Sequence, residues 1–333
     1  MGAKMANFQG DEDPNTIVGT QMADSVLGEG GDDTIRGGQG NDTISDTISG
    51  GDIVNGGVGN DLLVLSAAAQ TAATIAGGDG TDTISLGADA NFRGATISGV
   101  ETVTFTSAGA LTISATQAST FTTYDGNGTP GTTQLIIDGG GTGSLAAATL
   151  SGIDSINLAS ATVFVASSAA DVIHGSSAGD QLLGGSGADT INAASAGVNA
   201  STSGDTISGG NGSDSITGSS VGDVIFGNAD ADTIDAGGGD DNIFGGAGAD
   251  VIVMNADGGV DTVNGGADVD TYNFGADYIS DASAIGSFAG SVAGATVDQI
   301  TFGNGTGDLL NFSNVSFIGT AEQISFFKAF ETA

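Results

Sequence analysis

The sequence predicts an all-β fold, a right-handed parallel β-roll or β-helix solenoid. Glycine is abundant, aspartate recurs at intervals of nine residues, and most of these aspartates precede an x-U-x triplet in which U is Ile, Leu or Val. Each triplet is a minimal β-strand whose central residue points inward, which gives one buried apolar residue per nine. Short strands at a fixed interval are the repeating unit of a solenoid.

The composition indicates that the apolar residues alone do not stabilise this fold. The chain has 333 residues, of which 40 are acidic and four are basic, so its formal net charge is −36. This charge excludes a nucleic-acid partner, because the protein would repel the phosphate backbone. The absence of cysteine excludes disulfides and thiolate metal sites. Leu, Ile, Val and Phe make up about 23% of the chain, close to the boundary of intrinsic disorder.

A nonapeptide repeat explains both the glycine and the aspartate. Glycines at positions one, two and four permit a tight turn with bare carbonyls, and the aspartate at position six adds a carboxylate beside them. The turn is therefore an oxygen cage suited to a hard cation. The full copies are GGQGNDTIS at 37–45, GGVGNDLLV at 56–64, GGDGTDTIS at 77–85, GGSGADTIN at 184–192, GGNGSDSIT at 209–217 and GGAGADVIV at 245–253.

Two nonapeptides make one coil of 18 residues, so aspartates 18 apart are expected to stack and to share an ion. Two carboxylates about 5 Å apart repel by roughly 3 kcal/mol at an effective dielectric of about 20, and a bound calcium ion reverses that sign. In the second half the register is strict from Asp205 to Asp250. In the first half Asp24 with Asp42 is the only ideal pair, and the insertion AASAGVNASTS interrupts the second block.

The predicted calcium ligands are aspartates at the sixth position of the repeats. They are Asp24, Asp33, Asp42, Asp61, Asp82, Asp180, Asp189, Asp205, Asp214, Asp223, Asp232, Asp241, Asp250, Asp261 and Asp270.

The repeat resembles that of the RTX (repeat-in-toxin, hemolysin-type) family, whose GGxGxDxUx motif is a calcium-binding β-helix repeat. The resemblance implies multiple Ca²⁺ ions and type I secretion to the cell surface through an uncleaved C-terminal signal. The apolar and aromatic residues of segment 324–330 suit such a signal. The N-terminus lacks an apolar secretory segment, and no run of about 18 apolar residues predicts membrane insertion.

Acidic residues become sparse in the middle of the chain, which divides it into modules. A calcium-poor spacer carries an internal echo, ATISGVETVTF at 95–105 and ATLSGIDSINL at 148–158, which predicts stacked coils there too. Such a spacer is similar to the C-terminal portions of RTX surface-layer proteins. The predicted modules are an arm at 1–18, a β-roll block at 19–85, the spacer at 86–165, a second block at 166–275, and C-terminal strands with the secretion signal at 276–333.

The sequence predicts no enzyme. The segment GSSAG at 175–179 matches a hydrolase elbow, but no histidine follows it in the chain, and it falls in phase with the repeat. Three function classes remain: a structural protein that self-assembles at the cell surface, a calcium-stabilised adhesin or carrier module, and an ice-binding solenoid. The varied x positions disfavour the third. The expected partners are further copies of the chain and a cell-surface polysaccharide.

Overall fold

Nearly all the regular structure is parallel β. The computed structural model describes residues 5–48, 51–66, 72–126, 133–160, 162–193, 202–254, 261–268 and 270–274, with the backbone of three further strands at 285–289, 299–302 and 317–318. Within these ranges no helix is long and apolar enough to cross a membrane. The chain divides into two compact units, Met1–Ala159 and Ser160–Ala333.

From β1 to β9 of the first unit the chain winds alternately through two sheets. Strands β1, β3, β5, β7 and β9 lie side by side in one sheet, and β2, β4, β6 and β8 in the other. The strands are β1 Asn7–Gln9, β2 Thr16–Val18, β3 Ser25–Leu27, β4 Thr34–Gln39, β5 Thr43–Thr47, β6 Ile53–Val58, β7 Leu62–Ser66, β8 Thr74–Asp79, β9 Thr83–Leu86, β10 Ala90–Asn91, β11 Thr96–Ser98, β12 Thr102–Phe105, β13 Gly109–Ile113, β14 Thr123–Asp125, β15 Thr133–Ile137, β16 Gly141–Ser144, β17 Thr149–Ser151 and β18 Ser155–Leu158, with one helix, α1 Ala115–Ala118.

The second unit alternates in the same way. Odd-numbered strands from β19 to β33 form one sheet and even-numbered strands from β20 to β32 form the other. The strands are β19 Thr162–Val165, β20 Val172–His174, β21 Gln181–Ser186, β22 Thr190–Asn192, β23 Thr206–Asn211, β24 Ser215–Thr217, β25 Val224–Ala229, β26 Thr233–Asp235, β27 Asn242–Ala247, β28 Val251–Met254, β29 Asp261–Ala267, β30 Thr271–Phe274, β31 Ile285–Ala289, β32 Gln299–Phe302 and β33 Phe317–Ile318.

The core is a stack of inward apolar residues, one from each x-U-x triplet. Ile44 of β5 lies directly opposite Val26 of β3 and Leu63 of β7, and all three are at most 1% exposed. Burying one such side chain contributes about 1.5–3 kcal/mol. The predicted β-solenoid is therefore confirmed, with the apolar position of the repeat as its core.

The echo in the spacer corresponds to a repeated local structure. Both segments, 95–105 and 148–158, form a short strand, a bend and a second strand, and Gly99 and Gly152 occupy the bend at φ of +58° and +64°. Corresponding strands of the two copies nevertheless lie in different sheets: β11 and β17 are in different sheets, and so are β12 and β18. The echo therefore predicts conformation but not position.

The ends of the chain differ in how much is described. β1 and β2 lie within the predicted N-terminal arm and pair with β3 and β4, so they belong to the first coil. Of the C-terminal strands predicted within 276–333, the structure describes β31, β32 and β33. The predicted secretion signal lies outside the described residues.

Candidate metal centre

The sixth-position aspartates lie directly before the strands and stack from coil to coil. The backbone N–H of Asp214 donates to Oδ1 of Asp232 at 2.8 Å, and that of Asp232 donates to Oδ1 of Asp250 at 2.8 Å. One carboxylate oxygen of each aspartate thus satisfies a buried amide of the preceding coil. We call this row of bonds the carboxylate ladder.

The carboxylate ladder includes every predicted ligand, although stacking alone does not test whether each one binds an ion. Its N–H to Oδ1 distances range from 2.6 to 3.1 Å. The stacked pairs are Asp24–Asp42, Asp42–Asp61, Asp61–Asp82 and Asp33–Asp52 in the first unit, and Asp171–Asp189, Asp180–Asp205, Asp189–Asp214, Asp205–Asp223, Asp214–Asp232, Asp223–Asp241, Asp232–Asp250, Asp241–Asp261 and Asp250–Asp270 in the second.

Stacking is not limited to aspartates 18 residues apart. Asp61 and Asp82 stack at a separation of 21, and Asp180 and Asp205 stack at 25 across the insertion. The reason is that the position directly before a strand, and not the count along the chain, fixes the carboxylate. Additional residues fall between the strands, so the ladder continues through both irregular regions.

Sequence reasoning also missed three members of the ladder. Asp52 and Asp171 take part in it although neither was predicted as a ligand, and Glu101 ends it in the first unit, where Oε2 accepts from the Asp82 amide at 2.8 Å. A signal was present for Glu101, because an acidic residue precedes an x-U-x strand there as it does in the repeats. A nonapeptide search restricted to aspartate does not detect it.

The second carboxylate oxygen is what makes the turn a candidate cation site. In most repeats that have glycine at the first position and neither Ser nor Thr at the second, Oδ2 is buried and accepts no hydrogen bond. Oδ2 lies beside the first glycine of its own turn. The carbonyl oxygen of the first residue in the next coil's turn lies beside the same glycine. At Gly209, for example, a β-carbon would lie 2.9 Å from the carbonyl oxygen of Gly227 and would collide with Oδ2 of Asp214. The residues with such an open Oδ2 beside a first glycine include Asp42, Asp61, Asp82, Asp189, Asp214, Asp232 and Asp250. Oδ2 of Asp33 and of Asp205 is also buried and accepts no hydrogen bond, but no first glycine lies beside it.

Four turns with Ser or Thr at the second position are different, because that residue donates hydrogen bonds to the carboxylate of the same turn. At Asp180, Oδ2 accepts from the backbone N–H of Ser176 at 2.7 Å and from its hydroxyl at 2.9 Å. Thr20 and Ser167 donate to Oδ2 of Asp24 and Asp171 in the same way. At Asp223, the backbone N–H of Ser219 donates to Oδ2, and the Ser219 hydroxyl donates to Oδ1. The repeats therefore fall into open turns and hydroxyl-closed turns.

Open turns concentrate on one edge of each unit. In the first unit they follow β4, β6 and β8, and in the second they follow β21, β23, β25 and β27. On the opposite edge of the second unit, Asp180 and Asp223 are hydroxyl-closed while Asp205 between them is open. This asymmetry cannot be seen in the aspartate spacing alone.

Burial disfavours the charged form of the open carboxylates when no cation is bound. Burial raises the pKa of Asp205 and Asp232 to about 7, and the carboxylates of adjacent coils add to the shift. It raises the pKa of Asp42, Asp189 and Asp250 to about 6. Desolvation disfavours the charged form, and a bound cation restores it.

The family model of the RTX calcium-binding nonapeptide repeat (four copies) matches more than half of the chain. The matched residues are 9–44, 45–64, 74–92, 163–195, 199–220, 217–252 and 253–278. The chain belongs to the RTX calcium-binding repeat family. No curated protein is significantly similar to it.

The residues of this RTX chain fit the ion that its family binds. Calcium takes six to eight oxygen ligands from carboxylates and backbone carbonyls. Each open turn offers both kinds of oxygen: a buried Oδ2 that accepts no hydrogen bond and a carbonyl of the adjacent coil. The RTX repeat is a structural, calcium-binding fold typical of secreted proteins.

We expect Asp232→Ala to lower the number of bound calcium ions by about two, because Asp232 lies between two stacked neighbours on the open edge. Asp223→Ala is the matched control, since it removes a ladder aspartate that Ser219 already closes. Asp154→Ala is a second control, because Asp154 lies in the spacer, where its Oδ2 accepts from the backbone N–H of Thr133. Calorimetric titration measures all three. Equal stoichiometries for Asp232→Ala and Asp154→Ala would refute this assignment.

Proposed function

We propose that this protein is a secreted structural protein that binds several calcium ions, folds on binding them, and self-assembles at the cell surface as a surface layer or extracellular filament. The observation that carries the proposal is the repeated meeting of a buried Oδ2 with a carbonyl oxygen of the next coil. A chain built almost wholly of such coils has a scaffold whose integrity depends on the ion. The proposed role requires no catalytic group.

Charge favours an extracellular setting for this role. Calcium sites of extracellular modules bind at about 10⁻⁴–10⁻³ M, far above cytosolic calcium concentrations. Inside the cell the carboxylates would stay unneutralised, so the chain would remain unfolded and suited to type I export. Outside, millimolar calcium would fill the open turns and drive folding.

The outer surface of the first unit supports association between copies. Leu27, Leu62 and Val64 point outward from one sheet and are 37–38% exposed, and Val18 and Val58 of the other sheet are 56% and 49% exposed. Exposed apolar side chains favour contact once the charge that separates subunits is lowered. A cell-surface polysaccharide is the partner that we propose for attachment.

A calcium-stabilised adhesin or carrier module, related to the C-terminal part of a secreted RTX hydrolase or toxin, is the alternative. The same open turns would fold such a module. The two functions differ in self-assembly, which only the structural protein requires.

Calcium is expected to drive assembly beyond the monomer. A chain of net charge −36 repels its copies, and each bound ion cancels two charges while ordering the exposed strands. Light scattering should rise with calcium, fall with chelator and respond weakly to monovalent salt, because site-bound ions and not general screening are the trigger. Electron microscopy should then show sheets or filaments. Calcium-folded protein that stays monomeric at tens of micromolar would favour the adhesin or carrier module.

A further inference from the structure

One inward position of the solenoid holds a carboxylate where the next coil holds an apolar side chain. In β5 both Ile44 and Asp46 point inward, and Asp46 is only 5% exposed. Its partner in the next coil is Leu65 of β7, which is 2% exposed. Asp46 does not occupy the sixth position of the repeat, so the nonapeptide pattern does not account for it.

Neither oxygen of Asp46 accepts a hydrogen bond of ordinary geometry. The nearby amide of Thr47 donates to the carbonyl of Glu29 at 3.2 Å. The salt bridge among the described residues joins Arg93 to Asp138 and does not involve Asp46. The side chain of Arg36 on β4 is exposed. A buried carboxylate without a partner is costly and requires compensation.

Two further carboxylates converge on Asp46. One oxygen from each of Asp33, Asp46 and Asp52 lies within 4.8 Å of the other two. Asp33 and Asp52 are a stacked pair of the carboxylate ladder and are at most 1% exposed. Oδ2 of Asp33 is also buried and accepts no hydrogen bond. Asp33 and Asp46 therefore both contribute carboxylate oxygens that accept no hydrogen bond to this cluster.

The backbone around Asp46 leaves room for it. A β-carbon on Gly28 would lie 2.8 Å from Cγ of Asp46 and 2.8 Å from Cδ1 of Ile35. In open turns such as that of Gly56, the first glycine instead makes room for the aspartate five residues later. At Gly28 the carboxylate that fills this space comes from Asp46 of the next coil.

We propose that Asp33, Asp46 and Asp52 form a three-carboxylate site that binds one calcium ion more tightly than the open turns do and fills first. The proposal rests on the calcium-binding part of the proposed function and extends it to residues outside the repeat motif. The charge of the ligand set tunes calcium affinity, and three carboxylates bind a divalent ion more strongly than two. Their burial prevents solvent from screening this attraction.

The test is a calcium titration of the full chain followed by calorimetry and by terbium luminescence. Asp46→Asn, which is nearly isosteric, should weaken the first binding step by about tenfold or more. Asp46→Leu, which copies the residue at position 65, should remove one ion from the tightest class. Asp89→Asn removes an equal charge from an exposed position of the same unit, in the spacer and outside the nonapeptide turns, and should change neither property.

The variants also distinguish an Asp46 that binds calcium from an Asp46 that has only a structural role. If Asp46 binds no ion, both substitutions relieve a buried charge, raise the melting temperature in saturating calcium and leave the first binding step unchanged; that result overturns the proposal. If instead the unaltered chain binds no calcium at all, the proposed function itself fails. A weakened first step with later steps intact supports the three-carboxylate site.

Discussion

Removing calcium from the intact chain is expected to abolish most of its β-structure in one cooperative transition. Many buried aspartates of the carboxylate ladder have an oxygen that no hydrogen bond satisfies, and adjacent coils place such groups over one another. Without cations this repulsion opposes a core that contains only one apolar residue per nonapeptide. The gain from these residues does not offset both the repulsion and the chain entropy.

Far-UV circular dichroism during titration with a chelator measures this transition. We expect loss of the β signal, recovery on adding millimolar calcium, and poor recovery with magnesium, whose small octahedral shell fits turn carbonyls badly. An unchanged spectrum in chelator would show that the fold does not depend on the ion.

Acid is expected to replace calcium partly and to restore β-structure to the calcium-free chain. Burial raises the pKa of Asp205 and Asp232 to about 7 in the folded state, and that of Asp42 to about 6, whereas the unfolded values lie near 3.8. The folded state therefore binds protons more tightly than the unfolded chain does. The resulting stabilisation is complete below about pH 4 and is lost as pH rises through 6 to 7.

A pH titration by circular dichroism, from pH 8 to pH 4 in chelator, tests this expectation. Calcium binding should show the opposite dependence, because protons compete for the same carboxylates and raise the calcium concentration needed for folding. A calcium-free chain that gains no β-structure on acidification would show that protons cannot substitute for the cation.

The fold follows from the sequence because its determinants are local. Each nonapeptide carries its own turn glycines and its own inward apolar residue, so the positions of Ile44 and Leu63 can be predicted without knowing any long-range contact. The aspartates that stack could likewise be identified from their place before a strand.

The chemical differences among those aspartates could not be predicted from spacing. Some Oδ2 atoms are closed by a residue four positions earlier, as Ser219 closes that of Asp223, and the aspartate spacing does not distinguish them. The burial of Asp46 depends on the neighbouring coil, where Gly28 leaves the space that the carboxylate fills. Such features depend on contacts between neighbouring coils, so they cannot be predicted from the repeat motif alone.

The unequal coil lengths show which insertions and deletions such a protein can accept during evolution. In an ordinary sheet, inserting one residue into a strand reverses which face every later side chain occupies. Here a coil of 25 residues and a coil of 18 close on the same ladder, at Asp180–Asp205 and at Asp205–Asp223. An insertion or deletion between two strands is therefore confined to one coil, so this architecture can gain and lose sequence without resetting the coils that follow.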